Sequence, residues 1–103
     1  MPAIDAPSGL SAPAIAAIRQ VFARHANIEQ AILYGSRATG RYRPGSDIDL
    51  ALLGDALTLD ELLRIEGELD DLMLPYRIDL SILQRIENVA LLDHIRRVGI
   101  PFK

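Results

Sequence analysis

Apolar side chains at positions 15, 18, 21 and 22 keep the three-to-four-residue spacing of one helix face, which predicts a helix from Ser11 to about residue 26. Ser11 is placed to cap it, Pro13 is tolerated in its first turn, and Asn27 is a reasonable stop. Residues 31–34 are a short apolar run ending at Gly35, the first predicted strand. After a polar turn containing Gly40, Pro44 and Gly45, residues 47–53 alternate with period two and predict a second strand. Residues 76–83 do the same for a third. Between these two strands, Thr58 and Glu61 stand at capping-box spacing, and Leu59, Leu62, Leu63, Leu69 and Met73 carry an apolar stripe toward Pro75. A last helix is expected over 88–98, with Leu91, Leu92 and Ile95 inward. Arg96 and Arg97 suit the negative end of its dipole, and Gly99 stops it. Pro101 argues against a strong strand in the tail.

The helix between the second and third strands makes them a right-handed, parallel βαβ unit, while the short link between the first two makes those antiparallel. The expected fold is α/β in the α+β sense: a small mixed β-sheet with helices on one face. Residues 1–10, with Pro2, Pro7 and Gly9, read as an irregular arm, and 11–103 as one domain.

Alternation also sorts the chemistry. In the second strand Ile48, Leu50 and Leu52 share one face and Asp47, Asp49 and Ala51 the other; in the third, Ile78, Leu80 and Ile82 oppose Arg77, Asp79 and Ser81. Parallel pairing sets Asp79 level with the aspartate pair, and an antiparallel first strand brings Gly35-Ser36 to the same end. Three carboxylates there would repel one another unless a cation sits among them, and oxygen-only ligands with open positions suit Mg²⁺ carrying substrate phosphates. Gly35 lets the backbone approach a phosphate closely, and Ser36 offers a hydroxyl and an N–H. Arg37, Arg41 and Arg43 are candidates to balance phosphate charge, Arg37 the best placed of them. An Asp-x-Asp pair alone is uninformative in a chain with nine aspartates. A Gly-Ser at fixed distance before it, and a third aspartate on a strand of matching polarity, make the constellation specific.

Composition narrows the alternatives. The 103 residues are 50% apolar and 5% aromatic with a net charge of −3, and ten of the eleven basic residues are arginine. A mildly acidic chain lacks the broad basic surface of a nucleic-acid binder. Without cysteine there is no disulfide framework or thiolate metal site. No stretch approaches a membrane span and no basic-then-apolar leader opens the chain, so a cytoplasmic location and no membrane association are expected.

Gly35-Ser36, ten intervening residues and Asp47-x-Asp49 resemble the signature of the DNA polymerase β-type nucleotidyltransferase superfamily. The stretch LYGSRATGRYRPGSDIDLAL is especially similar to the minimal nucleotidyltransferases that pair with HEPN-domain partners, and LPYRIDL matches the segment carrying that family's third aspartate. The similarity runs from about Leu10 onward; the second, helical domain of larger members is not in evidence. The resemblance implies a polymerase β-like fold and transfer of a nucleotide, AMP from ATP, to a hydroxyl with the help of two Mg²⁺ ions, Mn²⁺ being able to substitute. It implies that Asp47 and Asp49 bind both ions and that Asp79 binds the catalytic one and helps activate the acceptor. Gly35 and Ser36 hold the β- and γ-phosphates, with Arg37 as a further nucleotide contact. It also implies a tyrosine of a HEPN-type RNase toxin as acceptor, which makes the chain an antitoxin.

The plainer readings are these. Asp47, following Pro-Gly-Ser, closes a turn; Arg77 forms a structural ion pair with an aspartate; Tyr34 is packed; His25 and His94 lie at surfaces or helix ends. Two competing functions remain: neutralisation of a partner by binding without catalysis, and nucleotide transfer to a small molecule, for which little surface is left.

Overall fold

The computed structural model describes residues 8–103. Helix α1 (Ala12–Ala23) is followed by strand β1 (Gln30–Tyr34), a single helical turn α2 (Ser36–Thr39) and strand β2 (Ile48–Leu53). Then come helix α3 (Leu59–Asp70), strand β3 (Ile78–Ile82), a 3₁₀ turn (Leu83–Arg85), helix α4 (Val89–Val98) and the two-residue strand β4 (Ile100–Pro101). Most of the arm expected over residues 1–10 lies outside the described residues, but Ser8 and Leu10 are buried, Leu10 within the main core.

The caps fall where polar side chains meet free backbone N–H groups. Ser11 Oγ accepts from Ala14 N at 3.2 Å and Asn88 Oδ1 from Leu91 N at 3.0 Å. At α3 half of the expected capping box forms: Thr58 Oγ1 accepts from Glu61 N at 3.2 Å. The Glu61 carboxylate is used elsewhere, accepting from Asn27 Nδ2 at 2.9 Å and meeting His25 Nδ1 at 3.1 Å, so it ties the α1–β1 loop to α3.

The four strands lie in the order β3-β2-β1-β4, with β1 antiparallel to both β2 and β4 and β3 parallel to β2. Aliphatic residues 48, 50 and 52 of β2, Ala31 and Leu33 of β1, and Leu80 and Ile82 of β3 pack with Ile15, Ile18 and Phe22 of α1 and Ile65 and Leu69 of α3. This face is the main core, and its helix cover follows from strand alternation. The opposite face has its own small cluster, where Tyr34 and Ala51 meet Ile95, with Ile32, Leu91 and Val98 around them. Helix cover is therefore divided: α1 and α3 lie on the aliphatic face and α4 lies on the other. The small side chain of Ala51 and the apolar Ile32 make room there for α4, leaving the strand ends beside it for polar groups.

Strand β4 forms despite Pro101. It occupies the sheet edge, where a residue without an N–H is tolerated, and Ile32↔Pro101 and Leu33↔Ile100 are the register pairs. Phe102 behind it is 1% exposed, its N–H donates to Ala31 O at 2.7 Å, and its ring meets Phe22 edge-on. No helix among the described residues is long and apolar enough to cross a membrane.

Candidate active site

Strand register builds the corner. Asp49 pairs with Asp79 across the parallel β2–β3 ladder, and with Tyr34 across the antiparallel β1–β2 ladder. The residues after Tyr34 are Gly35 and Ser36, so phosphate-loop candidates and carboxylates reach one end of the sheet. Asp47 precedes β2 and is half-buried, as is Asp49, while Asp79 is exposed. The turn before β2 is closed by Ser46, whose Oγ accepts from Arg43 N at 2.7 Å and whose N–H donates to Arg43 O at 2.9 Å. Asp47 is thus not the group that closes that turn.

Gly35 has φ of 75°, a left-handed conformation costly for a residue with a Cβ. A Cβ built there would also run into Asp49 Oδ2. Both facts require glycine, and together they show the loop backbone lying directly against an acidic side chain. Burial raises the Asp49 carboxyl above its ordinary range, and the charges of Asp79 and Asp47 push it further in the same direction, partly offset by His94. The same two effects, burial first and then Asp49 and Asp79, raise the Tyr34 hydroxyl against a hydrogen bond with Ser81. Tyr34 itself is packed, 7% exposed, with its hydroxyl 3.3 Å from Ser81 Oγ.

Among the described residues, no group of three or more His, Asp or Glu side chains is gathered into a ready ion cage. The donor set is one of carboxylate oxygens spread across a strand end, two of them raising the pKa of a third. Such a set fits an open site for a hard divalent ion that takes its remaining ligands from phosphate and water.

Arg37 corrects the sequence reading. Rather than facing phosphate, it is 1% exposed, with Nε donating to Ser46 O at 3.1 Å and Nη1 to Ser8 O at 2.8 Å. Its guanidinium lies 5.2 Å from the Tyr42 ring centroid and 4.9 Å from that of Tyr76. Two rings and two carbonyls make it a buried brace behind the loop. Arg77 is exposed and forms no ion pair among the described residues, so the expected pair with an aspartate is absent there.

His94, expected at a helix end or surface, belongs to the corner. Its Nε2 accepts the Gly35 N–H at 3.2 Å, and its ring meets that of Tyr34 edge-on at 6.3 Å. The available signal was positional: His94 lies three residues after Leu91 and four before Val98, on the inward stripe of α4. A cavity of about 490 Å³ opens beside the loop, lined by Gly35, Ser36, Thr39, Arg41, His94 and Arg97 among others. A second cavity of about 440 Å³, bordered by Ile32, Leu83, Leu92 and Ile95, adjoins the β1–β4 edge. Its lining includes none of the loop residues Gly35 and Ser36, whereas the first cavity opens directly on them.

The family model described as polymerase beta, nucleotidyltransferase matches residues 16–102. No curated protein sequence matches significantly. Among solved structures, a toxin–antitoxin crystallised with AMP-PNP is similar with a TM-score of 0.71 at 21% identity, over 86% of this chain and 72% of that one. A mutant of the toxin–antitoxin MntA–HpeT carrying two aspartate-to-glutamate changes follows at 0.69 and 19% identity, over 86% and 71%. The toxin–antitoxin MntA–HepT gives 0.66 and 18%, over 90% and 72%. At these identities the likeness is one of fold.

Proposed function

The chain belongs to the polymerase beta nucleotidyltransferase family, and from that premise we propose that it transfers AMP from ATP to a hydroxyl of a protein partner. The observation that carries this reading is the register that sets Asp49 beside Asp79 and beside the Tyr34–Gly35 end of β1. Asp47, Asp49 and Asp79 would hold Mg²⁺, two ions in all, with Mn²⁺ able to replace it. When bound, the metal supplies neutralisation of phosphate charge and stabilisation of the oxygens that gain charge around the α-phosphorus.

The protein's own groups do the rest. Gly35 allows the main chain to approach the β- and γ-phosphates, and the Ser36 hydroxyl donates a hydrogen bond to them. Asp79, the exposed carboxylate, accepts the acceptor's proton as the acceptor oxygen bonds to the α-phosphorus and pyrophosphate leaves. His94 fixes the loop from α4. Alignment of acceptor with phosphorus is a large part of such catalysis, and on this reading the partner's surface supplies that alignment. Likeness in fold to toxin–antitoxin complexes supports a HEPN-type RNase toxin as that partner, with a tyrosine as acceptor and this chain as a cytoplasmic antitoxin.

The test is transfer of label. With Mg²⁺ and the toxin present, ATP labelled at the α-phosphate should label the toxin, whereas ATP labelled at the γ-phosphate should not. Label from the γ-position would indicate a kinase. A toxin silenced without any label would mean neutralisation by binding alone.

A further inference from the structure

With Arg37 buried, the arginine next to Ser36 is not free to meet a triphosphate. The cavity beside Gly35 supplies two others. Arg41 enters from the polar turn after α2, and Arg97 from the last turn of α4, a segment outside the Gly-Ser and Asp-x-Asp motif. Both side chains are exposed, Arg97 by 62%. Arg97 Nε lies 2.8 Å from Asp93 Oδ2 and Arg96 Nη2 lies 2.9 Å from Asp93 Oδ1, so one carboxylate serves two guanidiniums and positive charge is left over. Arg41 forms no ion pair among the described residues. An exposed pair such as Arg97–Asp93 holds weakly, so Arg97 can leave it for a ligand.

Gly35 is the boundary of this arrangement. On one side its backbone abuts Asp49; on the other it lines the cavity with His94, whose bond to the Gly35 N–H ties α4 to the loop. Negative strand ends and a basic cavity therefore meet across a single residue. A bare phosphate would be repelled by the aspartates and drawn to the arginines, which orients a triphosphate with its terminal end toward Arg41 and Arg97.

We propose that Arg41 and Arg97 form a two-arginine clamp for the terminal phosphates of the nucleoside triphosphate, an assignment that rests on the nucleotidyltransferase reading and places part of the substrate site on α4. The clamp selects triphosphate over monophosphate. It also makes release of pyrophosphate depend on α4, because the same two guanidiniums hold the leaving group.

Calorimetry of the whole chain with ATP and Mg²⁺, and separately with AMP, tests this. Arg97→Gln and Arg41→Gln should each weaken ATP binding about 10-fold or more, the loss expected for one hydrogen bond to a charged group, and leave AMP binding unchanged. Arg96→Gln, on the same helix and the same aspartate but lining the other cavity, should change neither. Unchanged melting of the variants keeps the comparison free of folding effects. If Arg97→Gln and Arg41→Gln bind ATP like the wild type, or lose AMP and ATP equally, the clamp is wrong while the nucleotidyltransferase reading stands. If the wild type itself binds no ATP with Mg²⁺, that reading falls and the clamp with it.

Discussion

At the scale of single residues, neighbours in sequence have opposite duties. Ser36 and Arg37 adjoin each other, yet Ser36 lines the cavity and Arg37 is turned into the protein. Ser36→Ala removes one hydrogen bond to a charged phosphate and should weaken ATP binding by about 1.5–3 kcal/mol, with the fold unaffected. Calorimetry beside a melting curve checks it; unchanged affinity with a lower melting temperature would give Ser36 a structural role. Arg37→Ala should do the reverse. It removes the hydrogen bonds to the carbonyls of Ser46 and Ser8 and strips the cation from between Tyr42 and Tyr76, so urea unfolding should show a loss of about 2–4 kcal/mol. A stable Arg37→Ala protein with weak ATP binding would return Arg37 to the phosphates. Sequence spacing placed Arg37 near the loop correctly, but it could not show its direction. Tyr42 and Tyr76 fold over it from separate segments, and the second of them lies beyond α3.

At the scale of elements, local patterns were most legible where alternation is strict. Strands β2 and β3 carry aliphatic residues on one face and aspartates on the other, and that alone brings Asp49 and Asp79 to one level once the crossover makes the strands parallel. Elements fixed by partners were harder to see. Strand β4 owes its place to the edge of β1 and to the buried Phe102, so Pro101 misleads if read alone. His94 reaches Gly35 across 59 residues, with no ligand spacing to announce it. The link between the α1–β1 loop and α3 is of the same kind. Hydrogen bonds from Asn27 and then His25 hold the Glu61 carboxyl below its usual range, against a smaller opposing effect of burial. The folded state therefore favours the ionised form: its contribution is complete above the ordinary glutamate value and is lost as pH falls through the lowered one. Glu61→Ala should cost about 1 kcal/mol near neutral pH, and its deficit against the wild type should shrink on acidification through that window. Urea titrations across pH check this, and a deficit that stays constant or grows in acid would contradict it.

For the whole molecule, a net charge of −3 conceals a division of labour around one corner. Carboxylates stand at the ends of β2 and β3, cations on α4 and the turn after α2, and the glycine loop runs between them. The sheet rigidly holds the acidic half through backbone pairing, whereas the basic half rides on exposed side chains that can move to a ligand. The acidic half was readable from motif and periodicity and Arg41 from its place in the polar turn, whereas Arg97, on a helix far along the chain, carried no such signal. On the proposed reading this protein modifies its partner rather than merely covering it. Asp79→Asn separates the two, since the change keeps the shape of the side chain but removes the group assigned to the acceptor's proton. The decisive measurement is the intact mass of the toxin partner after incubation with ATP and Mg²⁺, using wild type and Asp79→Asn side by side. With wild type the toxin should be heavier by one AMP residue and inactive as an RNase, and with Asp79→Asn, which still binds it, the toxin should be unmodified and active. An unmodified toxin that both proteins silence equally would mean neutralisation by binding and contradict nucleotide transfer.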